Sequence, residues 1–163
     1  MKDKFEMVGK EIEEFSLPNS REENVNIKDF IEKKNVIVAL LRSINWPYCR
    51  AQVRSFAKDK EQFEQLDTII YPILVDKLEN AIKMEQKYAK EEFPIYYDNN
   101  KEVVKKLHQE FKIRKLGRMP ALFIVDKEGI IQYAYYSDSM SDIPKNKALF
   151  EVLEKLNKWF GRE

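Results

Sequence analysis

The chain has 163 residues and 44% apolar content, including ten Phe and eight Tyr, enough to bury one core of ordinary size, so a single domain over residues 1–163 is expected. The formal charge is only +1 although 35% of residues are charged; Lys and Glu are interspersed, no basic stripe gathers phosphates, and nucleic acid is excluded as an expected partner. The opening MKDKFEMVGKEIEEF has no uninterrupted apolar segment of the kind that a secretory leader or a membrane span needs, and one cysteine rules out an internal disulfide framework, so a soluble, cytoplasmic protein with no membrane association is expected.

VIVALL (36–41) is short, wholly apolar and rich in β-branched residues, as a central strand covered on both faces would be. From Pro47 the period changes: Val53, Phe56, Phe63 and Leu66 recur among Arg, Lys, Glu and Gln, which predicts an amphipathic helix. TIIYPILV (68–75) reads as a second strand, and KLENAIKMEQKYAKEE (77–92) as a helix with Ile82 and Tyr88 facing inward. PIYYD (94–98) is a third, short strand, and KEVVKKLHQEF (101–111) a helix through Val103, Val104, Leu107 and Phe111. ALFIVDKEGIIQYAYY (121–136) is a hairpin about Asp126-Lys127-Glu128-Gly129, and the last helix carries the stripe Leu149, Val152, Leu153, Leu156 and Phe160. This order predicts an α/β fold with a mixed central sheet and helices on both faces.

The only cysteine, Cys49, falls where the first strand gives way to its helix. In α/β sheets that turn collects ligands and chemistry, because a helix N-terminus offers free N–H groups and partial positive charge. Pro47 suits the first helical position, where its missing N–H would be unpaired anyway, and this places Cys49 in the first turn. The dipole, with Arg42, Arg50 or Arg54 nearby, is expected to lower the thiol pKa. Against this stands burial: Cys49 lies four residues before Val53 and seven before Phe56, on the inward face, where a free cysteine is commonly an inert packing residue.

LLRSINWPYCRAQ, GRMPALFIVDKEGIIQYAYY and DSMSDIPKNKALFEVLEKL together resemble the AhpC/TSA, or peroxiredoxin-like, branch of the thioredoxin-fold superfamily, from about Val8 to Trp159. The resemblance implies a thioredoxin-like fold with Met119-Pro120 as a cis peptide beside the active-site cysteine. It also implies that Cys49 is the peroxide-attacking residue, with Trp46, Pro47, Tyr48, Arg42, Arg118, Met119 and Pro120 around it. Three departures stand out. Trp46 occupies the place of the family's Thr or Ser three residues before the cysteine, Arg42 the place of its Pro seven before, and Pro120 that of its later arginine, for which only Arg118 or Arg42 is at hand. Groups aimed at a developing anion are commonly worth about two to four kcal/mol each, roughly a hundred- to a thousandfold in rate.

With Trp46 at the first position of a Cys-x-x-Cys motif, a dithiol cycle within the chain is unavailable. The resemblance therefore implies a one-cysteine thiol peroxidase acting on a peroxide, or a related oxidoreductase acting on a disulfide. An external thiol reductant, such as a thioredoxin-like protein, would restore it, and a homodimer stays open. The alternative is a redox-inactive or sensor module that binds peptides or proteins in a groove beside Trp46, Tyr48 and the Met119-Pro120 turn. His108 reads as a surface or boundary residue, and a lone His and Cys make no metal site. No G-x-G or G-K-[ST] pattern occurs, so neither metal nor nucleotide cofactor is expected.

Overall fold

The computed structural model describes residues 1–160, the side chain of Phe160 excepted. A small hairpin of β1 (Ser16–Pro18) and β2 (Asn24–Asn26) leads through a 3-10 turn into β3 (Asn35–Leu40). There follow α1 (Pro47–Lys58), α2 (Lys60–Gln65), β4 (Thr68–Leu74), α3 (Leu78–Lys87), β5 (Tyr96–Tyr97) and α4 (Glu102–Lys106). A second small hairpin, β6 (Phe111–Lys112) and β7 (Gly117–Arg118), precedes β8 (Ala121–Val125), β9 (Ile131–Tyr136) and α5 (Asn146–Phe160).

The central sheet runs β5-β4-β3-β8-β9, with β3 parallel to β4 and antiparallel to β8, which is the expected mixed α/β sheet. Every residue of β3 is buried, because both faces are covered. Ile37, Ala39 and Leu41 pack under α1, α2, α3 and α5, while Val36, Val38 and Leu40 face the N-terminal residues Met7, Ile12, Phe15, Leu17 and Ile27 together with Val103 and Val104 of α4. Helices thus stand on both faces, as expected, although on the second α4 shares the cover with the irregular N-terminal segment. Pro72 is tolerated inside β4 because β5 pairs only from Ile73 onward, leaving β4 a neighbour on one side there.

Three expectations need correction. The one helix read from Pro47 through Leu66 is two, α1 and α2, with Asp59 between them. The helix read over 101–111 stops at Lys106: Leu107 is buried as expected, but His108 takes a left-handed φ of 59°, and Phe111 emerges on β6 with 61% of its surface exposed. In α3 the inward residues are Ala81, Met84 and Glu85, with Tyr88 behind them, and Ile82 is only half-buried. In α5, Leu149 and Leu153 are buried, Val152 and Leu156 are half-buried, and the side chain of Phe160 lies outside the described residues.

The N-terminus is tied to the sheet. Lys2 bridges in parallel to Tyr135 of β9, and its ammonium meets Asp138 at 2.9 Å and Asp142 at 2.7 Å. Hydrogen bonds from Lys2 and Lys4 hold the Asp138 carboxyl below the usual carboxylate range. Asp142 is also lowered: burial opposes the shift, but the Asp138 backbone N–H and Lys2 outweigh it. Depressed carboxylates contribute stability that is present above the ordinary Asp value of about 3.9 and is lost as pH falls through the folded values. The Tyr136 amide donates to the Lys2 carbonyl at 2.9 Å. Its exchange protection should therefore drop at least about tenfold relative to Phe123 between roughly pH 6 and 3. Equal protection of the two amides at both pH values would contradict this account.

Candidate functional site

Cys49 sits in the first turn of α1, directly beyond the carboxyl end of β3. Pro47 occupies an N-terminal helical position as expected, while the cap is Trp46, whose side chain makes no capping hydrogen bond. The Arg42 backbone N–H donates to Sγ at 3.1 Å, and the Ser43 N–H also acts on the sulfur. Two backbone dipoles and a helix terminus converge on one atom.

The thiol is nevertheless fully buried, with 0% of its surface exposed, and packs in the same cluster as Ile44, Val53 and Phe56. Burial pushes its pKa up, and the Ser43 and Arg42 N–H groups and the Arg42 charge only partly offset this. The expected lowering is therefore reversed. Inward spacing to Val53 and Phe56 wins over helix position, because a sulfur sealed from water loses more in hydration than the dipole returns.

Of the three nearby arginines, only Arg42 exerts charge on the thiol. Arg50 donates through Nε to the Ile44 carbonyl at 2.6 Å and lies over the Tyr88 ring, as does Arg54. Arg42 is itself 92% buried, with 8% exposed. Its guanidinium stacks on the Trp46 ring with Cζ 4.4 Å from the centroid, and donates to the carbonyls of Arg118 (3.0 Å), Lys115 (2.9 Å) and Leu116 (3.1 Å). Arg118 lies over Phe111, and burial lowers its pKa. The Arg118 carbonyl, rather than its guanidinium, faces Arg42.

The Met119–Pro120 peptide is trans, which corrects the cis expectation. The chain leaves β7 and enters β8 without a tight turn: the Met119 N–H donates to the Glu110 carbonyl at 2.8 Å, and the Pro120 carbonyl accepts from Ser137 at 3.1 Å. Both residues are buried, so they line no open groove beside Trp46 and Tyr48. Tyr48 is 48% exposed and Trp46 half-buried. His108 is on the surface, as expected, and stacks on Phe5 at 4.9 Å.

Gln109 was missed by sequence reading. Its Nε2 bridges the carbonyls of Leu41 (3.1 Å) and Met119 (3.1 Å), tying the end of β3 to the entry of β8 beside the thiol. A glutamine at the foot of an expected helix gives no such signal. α5 is fixed to α1 by Asn146, whose Nδ2 reaches the Ser55 carbonyl, Ser55 Oγ and Asp59 Oδ2 at 2.8–3.0 Å.

The AhpC/TSA family model matches residues 8–134. Among curated proteins, the chain is 27% identical over 117 residues to the chloroplastic 2-Cys peroxiredoxin BAS1 of Hordeum vulgare, covering 68% of this chain and 55% of that one. It is 31% identical over 124 residues to a peroxiredoxin of Hyperthermus butylicus, covering 71% and 53%. The chain thus spans about half the length of the curated relatives it matches. Among solved structures, the mitochondrial 2-Cys peroxiredoxin of Plasmodium falciparum superposes with a TM-score of 0.80 at 19% identity over 96% of this chain and 98% of that chain, which shows a shared fold. By the match over most of its length, the chain belongs to the AhpC/TSA family.

Proposed function

We propose that the protein is a one-cysteine peroxiredoxin-like thiol peroxidase that reduces hydrogen or organic peroxides through Cys49. The observation carrying this reading is the convergence of the Arg42 and Ser43 N–H groups and the start of α1 on a single sulfur, in a chain of the AhpC/TSA family. Because burial holds the thiol protonated, Cys49 first gives its proton to solvent water, which returns one to the leaving oxygen. The thiolate then attacks one peroxide oxygen, an S–O bond forms, the O–O bond breaks, and the leaving oxygen takes a proton to become water or an alcohol. Sulfur is oxidised to the sulfenic acid as the peroxide is reduced by two electrons.

The chain has no second cysteine, so an external thiol, small or carried by a thioredoxin-like protein, forms a mixed disulfide with release of water. A second external thiol restores Cys49 and leaves as disulfide. Lone-thiol chemistry of this kind fits a reducing compartment such as the cytoplasm. Trp46 and Tyr48 frame the approach. The Arg42 guanidinium is committed to three carbonyls and to Trp46, so peroxide polarisation falls mainly to the backbone N–H groups, and a slow peroxidase is expected.

A second reading has its own support. The buried, proton-holding thiol is what a redox-silent relative would show, although its expected groove at Met119-Pro120 is closed. Peroxide consumption with an added thiol reductant separates the two. The wild-type chain should turn over and Cys49→Ser should fall to the uncatalysed background. Equal rates for both chains would leave the redox-silent reading standing.

A further inference from the structure

The segment from Phe111 to Arg118 is attached to the molecule in an unusual way. Of its eight residues only Gly117 is buried, and the large apolar side chains point outward, with Ile113 83% and Leu116 85% exposed. It places no side chain in either core cluster. What joins it to the body is a polar seam: the three Arg42 bonds to the carbonyls of Lys115, Leu116 and Arg118, with the Gln109 amide and the Met119-to-Glu110 hydrogen bond at its base. Gly117 holds φ +149°, a backbone conformation that residues with a side chain rarely adopt, and the Arg42 guanidinium lies against it, with Cζ 3.6 Å from where a Cβ would stand, an ordinary contact distance.

The seam is not fully satisfied. Trp46 Nε1 and Gln109 Oε1 are both buried and find no hydrogen-bond partner among the described residues, and opening would hydrate them. A segment with no apolar anchorage, held by polar bonds that water can replace, belongs to the low-stability end of a fold. Cys49, at 0% exposure, lies at the other side of the same Arg42, whose backbone N–H donates to Sγ.

We propose that Arg42 is a latch: its guanidinium pins the 111–118 hairpin to the mouth of the Cys49 helix, and release of that hairpin opens the path from solvent to the thiol. Arg42 is thus a positioning residue, acting through the hairpin and the Trp46 ring. The latch deepens the peroxidase reading, since a peroxide must pass it, but it is tested without peroxide, so the two stand or fall separately.

Two measurements on the full chain decide it. In the wild type, the Leu116 and Met119 amides should exchange at least about a hundredfold faster than those of Val38 and Phe123, in a sub-global opening. Alkylation of Cys49 by iodoacetamide is then compared at its limiting high-pH rate, where loss of the Arg42 charge no longer matters because every thiol is ionised. That rate should rise at least about tenfold in Arg42→Ala while Val38 protection is unchanged. It should rise less in Arg42→Lys, since one ammonium cannot hold three carbonyls as a planar fork does. Ile113→Ser, which touches no part of the seam, should stay within about twofold of wild type. An unchanged or lower limiting rate in Arg42→Ala, or an equal loss of protection at Val38, overturns the latch. Should Arg42→Ala fail to fold, the wild-type exchange decides alone, and Leu116 and Met119 amides as slow as Val38 refute it.

Discussion

Replacing Phe63 with alanine is expected to cost the fold about 3–5 kcal/mol, the range for truncating a large aromatic in a packed interior. Phe63 is fully buried in α2 and meets Phe56 of α1 edge-to-face at 5.9 Å and Phe150 of α5 at 4.6 Å. One ring therefore joins three helices over the sheet face that carries Cys49, and its loss removes two aromatic pairs as well as buried area. For a chain of this size the cost corresponds to a fall in Tm of roughly 6–20 °C. The measurement is thermal or urea unfolding of Phe63→Ala beside wild type; a loss below about 1 kcal/mol would mean that the helices close over the gap, contrary to the packing described. Because α5 is also held to α1 through Asn146, the variant should remain folded at 25 °C and loosen Cys49 only indirectly.

The second large effect concerns pH. Burial raises the Cys49 pKa above that of an ordinary thiol, so the alkylation rate should inflect above about 8.5 and climb steeply between pH 7 and that point, where a free peptide thiol is already levelling off. Stability follows the same shift. A group whose folded pKa is raised contributes stability that is fully present below its unfolded value and is lost as pH rises through the folded value. The wild-type chain should accordingly lose stability under alkaline conditions, and Cys49→Ser should not share that part of the loss. An inflection below 8.5 would show that the helix start and the Arg42 charge outweigh desolvation after all.

The thiol illustrates what the sequence made legible and what it did not. The apolar run at 36–41, Pro47 at the head of a helix, and Asp126 to Gly129 between two apolar runs were enough to place β3, α1 and the β8–β9 hairpin, because each is a local pattern with a local cause. The three-residue strands β1 and β2 escaped, since SLP and NVN are too short to show a period. α4 was overextended because nothing in LHQEF marks the left-handed turn at His108. At the site, the inward spacing from Cys49 to Val53 and Phe56 already pointed to burial. What the local pattern leaves open is where the Arg42 side chain goes. Its choice of three carbonyls 73 to 76 residues away is a tertiary event that no spacing in RSINWPYC encodes.

The most direct test is intact-mass spectrometry of the reduced, folded chain treated with a modest excess of hydrogen peroxide, followed by peptide mapping. The expected result is a gain of one oxygen, located on Cys49, reversed by added thiol, and faster as pH rises toward the elevated thiol pKa. A folded chain whose Cys49 gains no oxygen at any pH from neutrality to that value would contradict it.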